Sequence, residues 1–458
     1  MNYRYRNESE MKDSGIEWLG NIPKGWAKKK LRNLGNISTS SVDKKINQYE
    51  SLVKLVNYID VYNSKNKELY NDELYMKVSA KDIQFKTCNL IKGDVLFTPS
   101  SETIHDIGYS AVVMEDLGNT LYSYHIVRLR FKEEIYLNYK KYMFWSNSFL
   151  NYLSSRATGT TRKTLSMNDF KDNIAVIPQQ VEQEKIAKFL DEKTAQFDSV
   201  ISKKEALIQR LEEAKKSLIS EVVTGKAKVV KIDDGYKLVE RKKEEMKDSG
   251  VEWLALMPKE WKRIKLARIS NVVRGGSPRP AGDPKFFGGN EVPWITVAEV
   301  TKDENKLLDF VSSYLTQLGK RQSRYLEKGT LIMSNSGATL GVPKILNISG
   351  CINDGSLAFL NLDIDKNYLY YLLKSRTKIF REEMQVSGQP NLNTDVIKAL
   401  DILKPLNEEQ KLIAEYLDVK TDRINELIGK SKHQILKIKE AKQSLISEAV
   451  TGKIEIID

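Results

Sequence analysis

The sequence predicts an α+β protein with two mixed α/β domains and two long helices that form an antiparallel coiled coil, arranged as a pseudo-twofold internal repeat. Three observations predict it. KKSLISEVVTGK at residues 215–226 returns as KQSLISEAVTGK at 442–453, with two of twelve positions changed. MKDSGIEWLGNIPKGWAKKKL at 11–31 returns as MKDSGVEWLALMPKEWKRIKL at 246–266, with thirteen of 21 positions identical. A heptad pattern of apolar residues precedes each copy of the first motif.

The bulk composition bounds the possible functions. With 458 residues the chain is long enough for two or three domains, and 41% hydrophobic with 29% charged residues is typical of a globular protein. The N-terminal residues are polar and no apolar run would span a bilayer, so we expect a cytoplasmic protein without membrane contact. Two distant cysteines and three scattered histidines predict neither a disulfide framework nor a metal site. A formal net charge of +12 favours a polyanionic partner.

The repeat divides the chain into five predicted segments. They are a first domain at 1–178, a helix at 179–226, a linker at 227–245, a second domain at 246–404 and a second helix at 405–458. Within the domains, alternation and apolar runs predict strands in SLVKLVNYIDVY (51–62), KGDVLFT (92–98), VPWITVAEV (292–300) and KGTLIMS (328–334). Runs rich in Tyr, Leu and Phe predict helices in LNYKKYMFWSNSFLNYL (137–153) and KNYLYYLLKSRTKIF (366–380).

Each long helix is predicted to begin after a proline, Pro178 or Pro405, and to end before a glycine, Gly225 or Gly452. About 40 residues at 1.5 Å per residue gives a length of roughly 60 Å. The heptad register residues are Leu190, Phe197, Lys204, Leu211 and Leu218, and in the second helix Leu417, Ile424, Ser431, Ile438 and Leu445. We assign the second seam position to residues three later, which include Val200, Leu207, Ala214, Leu427 and Ala441. Short connections between helix and domain favour an antiparallel pair.

Polar loops with a glycine are the candidate DNA contacts. Their guanidinium, ammonium, hydroxyl and amide groups suit phosphates and base edges, and amide side chains suit adenine. The candidates are Arg156, Thr158, Thr160, Thr161, Arg162 and Lys163 in the first domain, and Arg274, Ser277, Arg279, Gln385, Ser387, Gln389 and Asn391 in the second. For each of them, an ordinary solvated loop is the alternative interpretation.

Other polar and aromatic residues are assigned to the interior. His125, in the apolar run YHIVRLRF, is predicted to be a core histidine, and Trp18, Trp26, Trp253 and Trp261 are predicted to pin the first strand of each domain. Catalytic signatures are missing: the sequence has no Asn/Asp-Pro-Pro-aromatic motif for amino-methyl transfer and no P-loop.

These paired segments resemble the specificity subunit of type I restriction-modification enzymes. The resemblance is carried by SGIEWLGNIPKGW and SGVEWLALMPKEW, by IPQQVEQEKIAKFLD and KPLNEEQKLIAEYLD, and by the two copies of the SLISE motif quoted above. The second copy departs from the first between its proline and its Glu-Gln pair, which stays intact. The resemblance implies two target recognition domains and a non-catalytic subunit that binds an asymmetric, bipartite site in double-stranded DNA.

The same resemblance implies the partners and the cofactors. Two methyltransferase subunits and, in the full nuclease, two restriction subunits would join the chain, and they would bring S-adenosylmethionine, ATP and Mg²⁺. The residues carried over for partner binding are Glu182, Gln183, Ile186, Ala187, Asp191, Glu409, Gln410, Ile413, Ala414 and Asp418. Leu190 and Leu417 belong to the same motif, but we assign them to the coil. Gln183 and Gln410 are the preferred candidates for a partner surface.

Three alternative functions remain open from the sequence. One is the recognition subunit of a two-component type II enzyme that cuts on both sides of its site. Another is a self-contained DNA methyltransferase, which the missing Pro-Pro-aromatic motif disfavours. The third is a coiled-coil scaffold without DNA binding. The residues do not reveal the target bases or the gap between the half-sites, because readout also depends on loop geometry and DNA deformability.

Overall fold

The computed structural model describes residues 1–251, 254–337, 339–385 and 392–457, and the chain divides into two compact units. The first unit contains residues 1–205 and 432–458, and the second contains residues 206–431. Each unit therefore combines one mixed domain with part of both long helices, whereas the predicted boundaries separated the domains from the helices.

The first domain is built around a five-stranded sheet and a three-stranded sheet. Its strands are β1 (Asn2–Tyr5), β2 (Met11–Asp13), β3 (Asn21–Pro23), β4 (Ala27–Lys30), β5 (Gly35–Thr39), β6 (Ser51–Val56), β7 (Glu68–Leu69), β8 (Met76–Ala80), β9 (Val95–Phe97), β10 (Ser100–Ser101), β11 (Ser110–Val113), β12 (Thr120–Tyr122), β13 (Val127–Phe131), β14 (Lys163–Thr164) and β15 (Ile174–Ile177). Its helices are α1 (Leu31–Leu34), α2 (Tyr58–Tyr62), α3 (Asp82–Thr87), α4 (Leu137–Met143), α5 (Asn147–Arg156) and α6 (Met167–Asp172). The larger sheet has the order β5-β13-β9-β11-β7, and the smaller has the order β12-β6-β8.

A helix of 44 residues, α7 (Gln180–Val223), and a hairpin follow the first domain. The helix begins just after Pro178, and Gly225 has a φ of 76° after its last turn, as predicted. Strands β16 (Ala227–Ile232) and β17 (Gly235–Glu240) pair antiparallel along their whole length. The segment predicted as a linker, 227–245, contains this hairpin, because apolar residues and lysines make an amphipathic strand whose Val229 lies in the core of the second unit.

The second domain repeats the larger sheet of the first, and its smaller sheet has four strands instead of three. Its strands are β18 (Met246–Val251), β19 (Leu254–Pro258), β20 (Lys262–Lys265), β21 (Asn271–Arg274), β22 (Phe287–Ile295), β23 (Leu307–Leu308), β24 (Tyr314–Leu315), β25 (Arg324–Leu326), β26 (Leu331–Ser334), β27 (Pro343–Leu346), β28 (Gly350–Ile352), β29 (Ser356–Leu360) and β30 (Asp401–Lys404). Its helices are α8 (Val297–Thr301), α9 (Gln317–Arg321), α10 (Lys366–Gln385) and α11 (Thr394–Lys398). The larger sheet, β21-β29-β26-β27-β23, has the strand order and directions of its counterpart, including one parallel pair at its edge. The prediction that both interiors are built alike is confirmed.

A second helix of 44 residues, α12 (Asn407–Val450), and a final strand, β31 (Ile454–Ile457), complete the chain. Strand β31 pairs antiparallel with β1, so that the two chain ends meet in the first unit. This pair is the counterpart of the hairpin β16–β17. Short 3-10 helices lie at Glu8–Glu10, Lys65–Lys67, Lys243–Glu245 and Leu266–Arg268.

Capping residues explain where the predicted elements of the first domain break. The strand predicted at 51–62 ends at Val56, because Asn57 caps α2: its side chain accepts the Tyr58 N–H at 2.8 Å and its N–H donates to Asp60 at 2.7 Å. The helix predicted at 137–153 is two helices, because Ser146 caps α5 by accepting the Phe149 N–H at 3.1 Å. In the second domain, the helix predicted at 366–380 is confirmed as part of α10.

The two long helices run antiparallel in each unit, as predicted. In the first unit, Lys204 donates to Gln434 at 2.7 Å and Lys442 donates to Asp198 at 2.7 Å, so the numbers fall along one helix as they rise along the other. In the second unit, Lys215 donates to Asn425 at 2.9 Å, and residues 219–223 of α7 share a core with residues 413–417 of α12.

The coiled-coil seam differs from the prediction in its second position, which lies between successive register residues. The register residues Leu190 and Leu417 are fully buried, as predicted. The next buried layer lies four residues after each register residue, at positions such as Ile201 and Ile428, and not three residues after it. The predicted seam residues are exposed instead: Val200, Leu207, Ala214, Leu427 and Ala441. Val200 and Ile201, three and four residues after Phe197, are both apolar. The sequence pattern alone therefore does not show which of the two lies in the seam.

Candidate nucleic-acid interface

A glutamate at the start of each long helix fastens the preceding domain to it. Glu182 Oε2 accepts the indole N–H of Trp26 at 2.7 Å, and its other oxygen pairs with Arg6. Glu409 does the same with Trp261, at 2.8 Å, and with Arg241. Trp26 and Trp261 are buried, so their assignment to the interior is confirmed. Trp18 is half-buried against Tyr152, and Trp253 lies outside the described residues.

Gln183 and Gln410 are interior residues, which corrects their assignment to a partner surface. Gln183 accepts the Tyr136 N–H at 2.8 Å and donates to the Pro178 carbonyl at 3.0 Å. Gln410 accepts the Asp365 N–H at 2.7 Å and donates to the Pro405 carbonyl at 2.8 Å. Both side chains are buried with their amide groups satisfied, because the helix begins against the domain that precedes it.

The other predicted partner residues also hold domain and helix together. Ile186, Ala187, Ile413 and Ala414 are buried in the two cores. Asp191 accepts the Tyr142 hydroxyl, and Asp418 accepts the Tyr371 hydroxyl, both at 2.6 Å. Burial, together with these carboxylates, raises the pKa of both tyrosines. Asp191, Asp418 and Glu182, each with about a third of its side chain exposed, keep a surface that a partner could contact.

The predicted DNA residues of the first domain lie together on one exposed loop between α5 and α6. Thr158 and Thr164 exchange backbone hydrogen bonds of 3.1 and 2.8 Å, which closes the loop. Gly159 has a φ of 110°, and a Cβ there would overlap the Arg162 carbonyl, so the tight turn requires glycine. The side chains of Arg156, Thr158, Thr160, Thr161 and Arg162 are exposed and that of Lys163 is half-buried.

Two further loops lie beside this glycine loop. The Arg162 guanidinium lies 5.8 Å from the ring centre of Tyr58, at the start of α2. The loop between β12 and β13 contacts the loop after β5, where the Tyr124 N–H donates to the Val42 carbonyl at 3.2 Å. His125 lies in this turn and is half-exposed, so its prediction as a core histidine is wrong. Burial and the positive charges of Lys44 and Arg162 lower the pKa of His125, which favours the neutral imidazole.

The second domain brings the corresponding loops together. Arg274 and Arg279 are exposed, and the Ser277 hydroxyl donates to the Asp354 carboxylate between β28 and β29. That hydrogen bond, with the charges of Arg274 and Arg279, lowers the pKa of Asp354. Ser387, Gln389 and Asn391 lie outside the described residues, as does the side chain of Gln385, the last residue of α10. We name the loops after β21 and between β28 and β29, with the start of β25, the second reading edge.

Sequence reasoning missed several residues at these edges. We name the glycine loop, the loop between β12 and β13 and the start of α2 the first reading edge; Tyr58 belongs to it, and Lys44 lies close to its His125. Arg324 begins β25 in the second reading edge, and Lys320 of α9 lies against Tyr325 beside it. Lys320 lies 3.7 Å from the ring centre of Tyr325, and the Arg324 Nε donates to the Arg274 carbonyl at 2.7 Å. No local pattern marks them, since they come from strands and turns far apart in sequence that meet only through sheet pairing.

The arrangement can bind a polyanion. At the second reading edge the positive charges of Arg274 and Arg279 act on the Asp354 carboxylate, and Arg324 is tied to the Arg274 carbonyl. Exposed guanidinium and ammonium groups bind phosphates, and guanidinium, hydroxyl and amide groups read base edges. Over the described ranges, no group of three or more His, Cys, Asp and Glu side chains could hold a metal ion. None of the described helices is long and apolar enough to cross a membrane.

The repeated architecture matches a known family twice. The model described as the type I restriction modification DNA specificity domain matches residues 23–213 and again residues 258–437. The chain belongs to this family. Each match of the specificity domain contains one reading edge and most of the helix that follows it. The predicted resemblance and fold class are confirmed, and so is the role as a DNA specificity subunit, while the alternative functions are not favoured.

Individual relatives agree with this assignment. The MjaVIII specificity subunit of a type I restriction enzyme from Methanocaldococcus jannaschii is 26% identical over 333 residues, which cover 69% of this chain and 70% of the relative. The putative MjaX specificity subunit from the same organism is 24% identical over 456 residues, or 96% of both chains. A solved structure described as the basis of assembly and conformational transition of the type I R-M system contains a chain with a TM-score of 0.69 and 17% identity. The match covers 94% of the present chain and 99% of the chain in that structure, so the two chains share a fold.

Proposed function

We propose that the two recognition domains read the two unlike halves of one asymmetric, bipartite site in double-stranded DNA, with α7 and α12 as the spacer. The observation that carries this proposal is one scaffold with different reading residues. The strand order repeats, yet the turn that holds His125 in the first domain holds Asp354 in the second. Since base readout depends on donor and acceptor type, unlike side chains on like scaffolds imply unlike half-sites.

The chain itself is proposed to be non-catalytic. Two methyltransferase subunits, and two restriction subunits in the full nuclease, would supply S-adenosylmethionine, ATP and Mg²⁺ and perform the chemistry. A chain with two similar units suits identical partners in pairs. Because the motif residues at the helix starts are largely buried, we place the partner surface on the outer faces of α7 and α12. Val200, Leu427 and Leu436 expose apolar side chains there.

Expression with the methyltransferase subunit encoded beside this chain, followed by mapping of methylated adenines across a host genome, tests the proposal. We expect one motif with two specified halves and a fixed gap. Arg162→Ala should relax or weaken recognition in one half only, whereas Arg32→Ala, an exposed arginine paired with Asp172 away from the loops, should change neither. A methylated motif with a single block, or methylation by the chain alone, would contradict the proposal.

A further inference from the structure

Two arginines of the second reading edge have tethered guanidinium groups. Arg274 ends β21, and its Nε donates to the backbone carbonyl of Asp354 at 2.7 Å. Arg324 begins β25, and its Nε donates to the backbone carbonyl of Arg274, also at 2.7 Å. Both side chains are exposed. Each guanidinium is therefore anchored through its Nε to a backbone carbonyl of the second reading edge.

The tethers leave the ligand-binding part of each guanidinium open. A guanidinium carries five N–H donors in a rigid, planar fork, and a bond at Nε fixes the plane while the terminal nitrogens stay available. Among the described residues, no protein acceptor takes a hydrogen bond from the terminal nitrogens of Arg274 or Arg324. Each arginine thus presents an oriented pair of donors to the outside.

Structural arginines of the first domain use their terminal nitrogens for contacts within the protein, and the Arg130 Nε donates to Asp94 as well, at 2.8 Å. Arg130 donates from its terminal nitrogens to Asp94, at 2.7 Å, and to Asn89. Arg128 donates from its terminal nitrogens to the Asn89 carbonyl at 2.6 Å and to Ser38 at 3.1 Å. These two arginines support the fold with the groups that Arg274 and Arg324 keep free. Holding only Nε is what a side chain needs when its acceptor comes from another molecule.

The backbone beneath the pair is held rigidly. A Cβ at Gly275 would overlap the Asn353 carbonyl, so only glycine permits the close approach of the two loops. The Gly275 N–H donates to the Ser356 carbonyl at 3.0 Å, and the Ser323 hydroxyl donates to the Gly276 carbonyl at 2.6 Å. Donors held in place before binding lose little conformational entropy when the ligand arrives.

We infer that Arg274 and Arg324 read guanine bases in the half-site bound by the second domain, each donating two hydrogen bonds to O6 and N7. This inference rests on the proposed function. In the major groove, guanine presents two adjacent acceptors that match the terminal fork of an arginine. The neighbouring Arg279, Lys320 and Arg321 supply the attraction to phosphates, which needs charge but no fixed plane.

Lysine substitutions separate base reading from phosphate binding. In the methylation map of the full complex, Arg274→Lys and Arg324→Lys keep the charge but lose the fork. We expect each to reduce the preference for guanine at one motif position by roughly 10- to 100-fold. The half-site read by the first domain should stay unchanged. Arg268→Lys, at an exposed arginine of the 3-10 helix Leu266–Arg268 outside the second reading edge, is the matched control and should leave every motif position as it was.

The outcomes distinguish this inference from the proposed function. A wild-type motif without guanine in either half overturns the inference, and so does an unchanged motif in both Arg274→Lys and Arg324→Lys. A wild-type complex that yields no two-part motif overturns the proposed function instead. Thermal unfolding of each variant shows whether the second unit stays folded. If a variant does not assemble, the presence or absence of guanine in the wild-type motif still tests the inference.

Discussion

Glu182 and Glu409 each bind an indole N–H and a guanidinium, and this pairing predicts a strong effect of removing either carboxylate. Glu409→Ala leaves the Trp261 N–H and the buried Arg241 without their acceptor. We expect it to lower the free energy of unfolding by about 2 kcal/mol, as for other hydrogen bonds to charged groups. Urea unfolding followed by tryptophan fluorescence measures this change. Glu408→Ala, an exposed neighbour in the same turn, should change it by less than about 0.5 kcal/mol.

Gln410 gives a second prediction at this scale. Gln410→Leu removes the hydrogen bonds of the amide and leaves the Pro405 carbonyl and the Asp365 N–H unsatisfied in the interior. We expect a loss of roughly 2 kcal/mol in the free energy of unfolding, while partners still bind the folded protein. Urea unfolding and size-exclusion chromatography with the methyltransferase measure the two effects. Release of the partner from a variant of unchanged stability would contradict the buried role.

Lys67 predicts a pH dependence of the first unit. Its ammonium lies 4.2 Å from the ring centre of Trp145, and burial and the charge of Lys442 lower its pKa to about 8, with Lys141 adding to the effect and Asp198 opposing it. The unfolded chain therefore binds more protons between about pH 8 and pH 10, so the free energy of unfolding should rise with pH in that window.

Lys67→Met tests this dependence. We expect the variant to be more stable than the wild type at pH 7 by roughly 1–3 kcal/mol and to lose the rise between pH 8 and pH 10. Urea unfolding at pH 7, 8, 9 and 10 measures the slope. Lys65→Met, at an exposed position in the same turn, should keep the wild-type slope. Equal slopes in all three proteins would show that Lys67 is not the group responsible.

The sequence predicted residue roles where one local signal decides them, and it failed where distant contacts decide them. Trp26 and Trp261 were predicted correctly because large aromatic residues in a repeated segment favour the interior. Gln183 was assigned to the surface because an amide on a helix is usually exposed, and nothing nearby indicates that its acceptor and donor come from Tyr136 and Pro178.

At the scale of single elements, helix ends were predictable and the coiled-coil layers were not. Pro178 and Gly225 act on the local backbone, so they delimit α7 in sequence and structure alike. The layers depend on which apolar neighbour, Val200 or Ile201, faces α12. Both spacings fit a heptad, and packing against the other helix selects Ile201.

This choice of layer can be measured. Ile201→Ala should lower the free energy of unfolding by about 2–3 kcal/mol, because it leaves a cavity in the seam of the first unit. Val200→Ala, at the exposed neighbouring position, is the matched control and should change it by less than about 0.5 kcal/mol. Chemical denaturation of the two variants under the same conditions gives the comparison. Equal losses would contradict the observed layer.

At the scale of the whole molecule, the repeat was visible in the sequence and the division into units was not. The two quoted motifs predicted two domains and two helices, but each compact unit takes residues from distant parts of the chain. The first unit joins residues 1–205 to 432–458. This joining of distant segments becomes visible only when α7 pairs with α12 and β1 pairs with β31.

Removing the last strand should therefore affect the first unit alone. A chain that ends at Lys453 lacks β31, so β1 loses its partner and the buried Ile454 is missing from the core. Hydrogen exchange measured by mass spectrometry should show faster exchange in peptides from residues 1–178 and unchanged exchange in peptides from 246–404. Uniform acceleration across both domains would contradict the division into units.

The meeting of β1 with β31 has a consequence for synthesis on the ribosome. The second unit is complete once residue 431 has emerged, whereas the first unit waits for the last few residues of the chain. The domain that is translated first thus matures last. A message truncated between the codons for residues 431 and 454 would release a protein whose second domain is folded and whose first domain is incomplete and open to proteases.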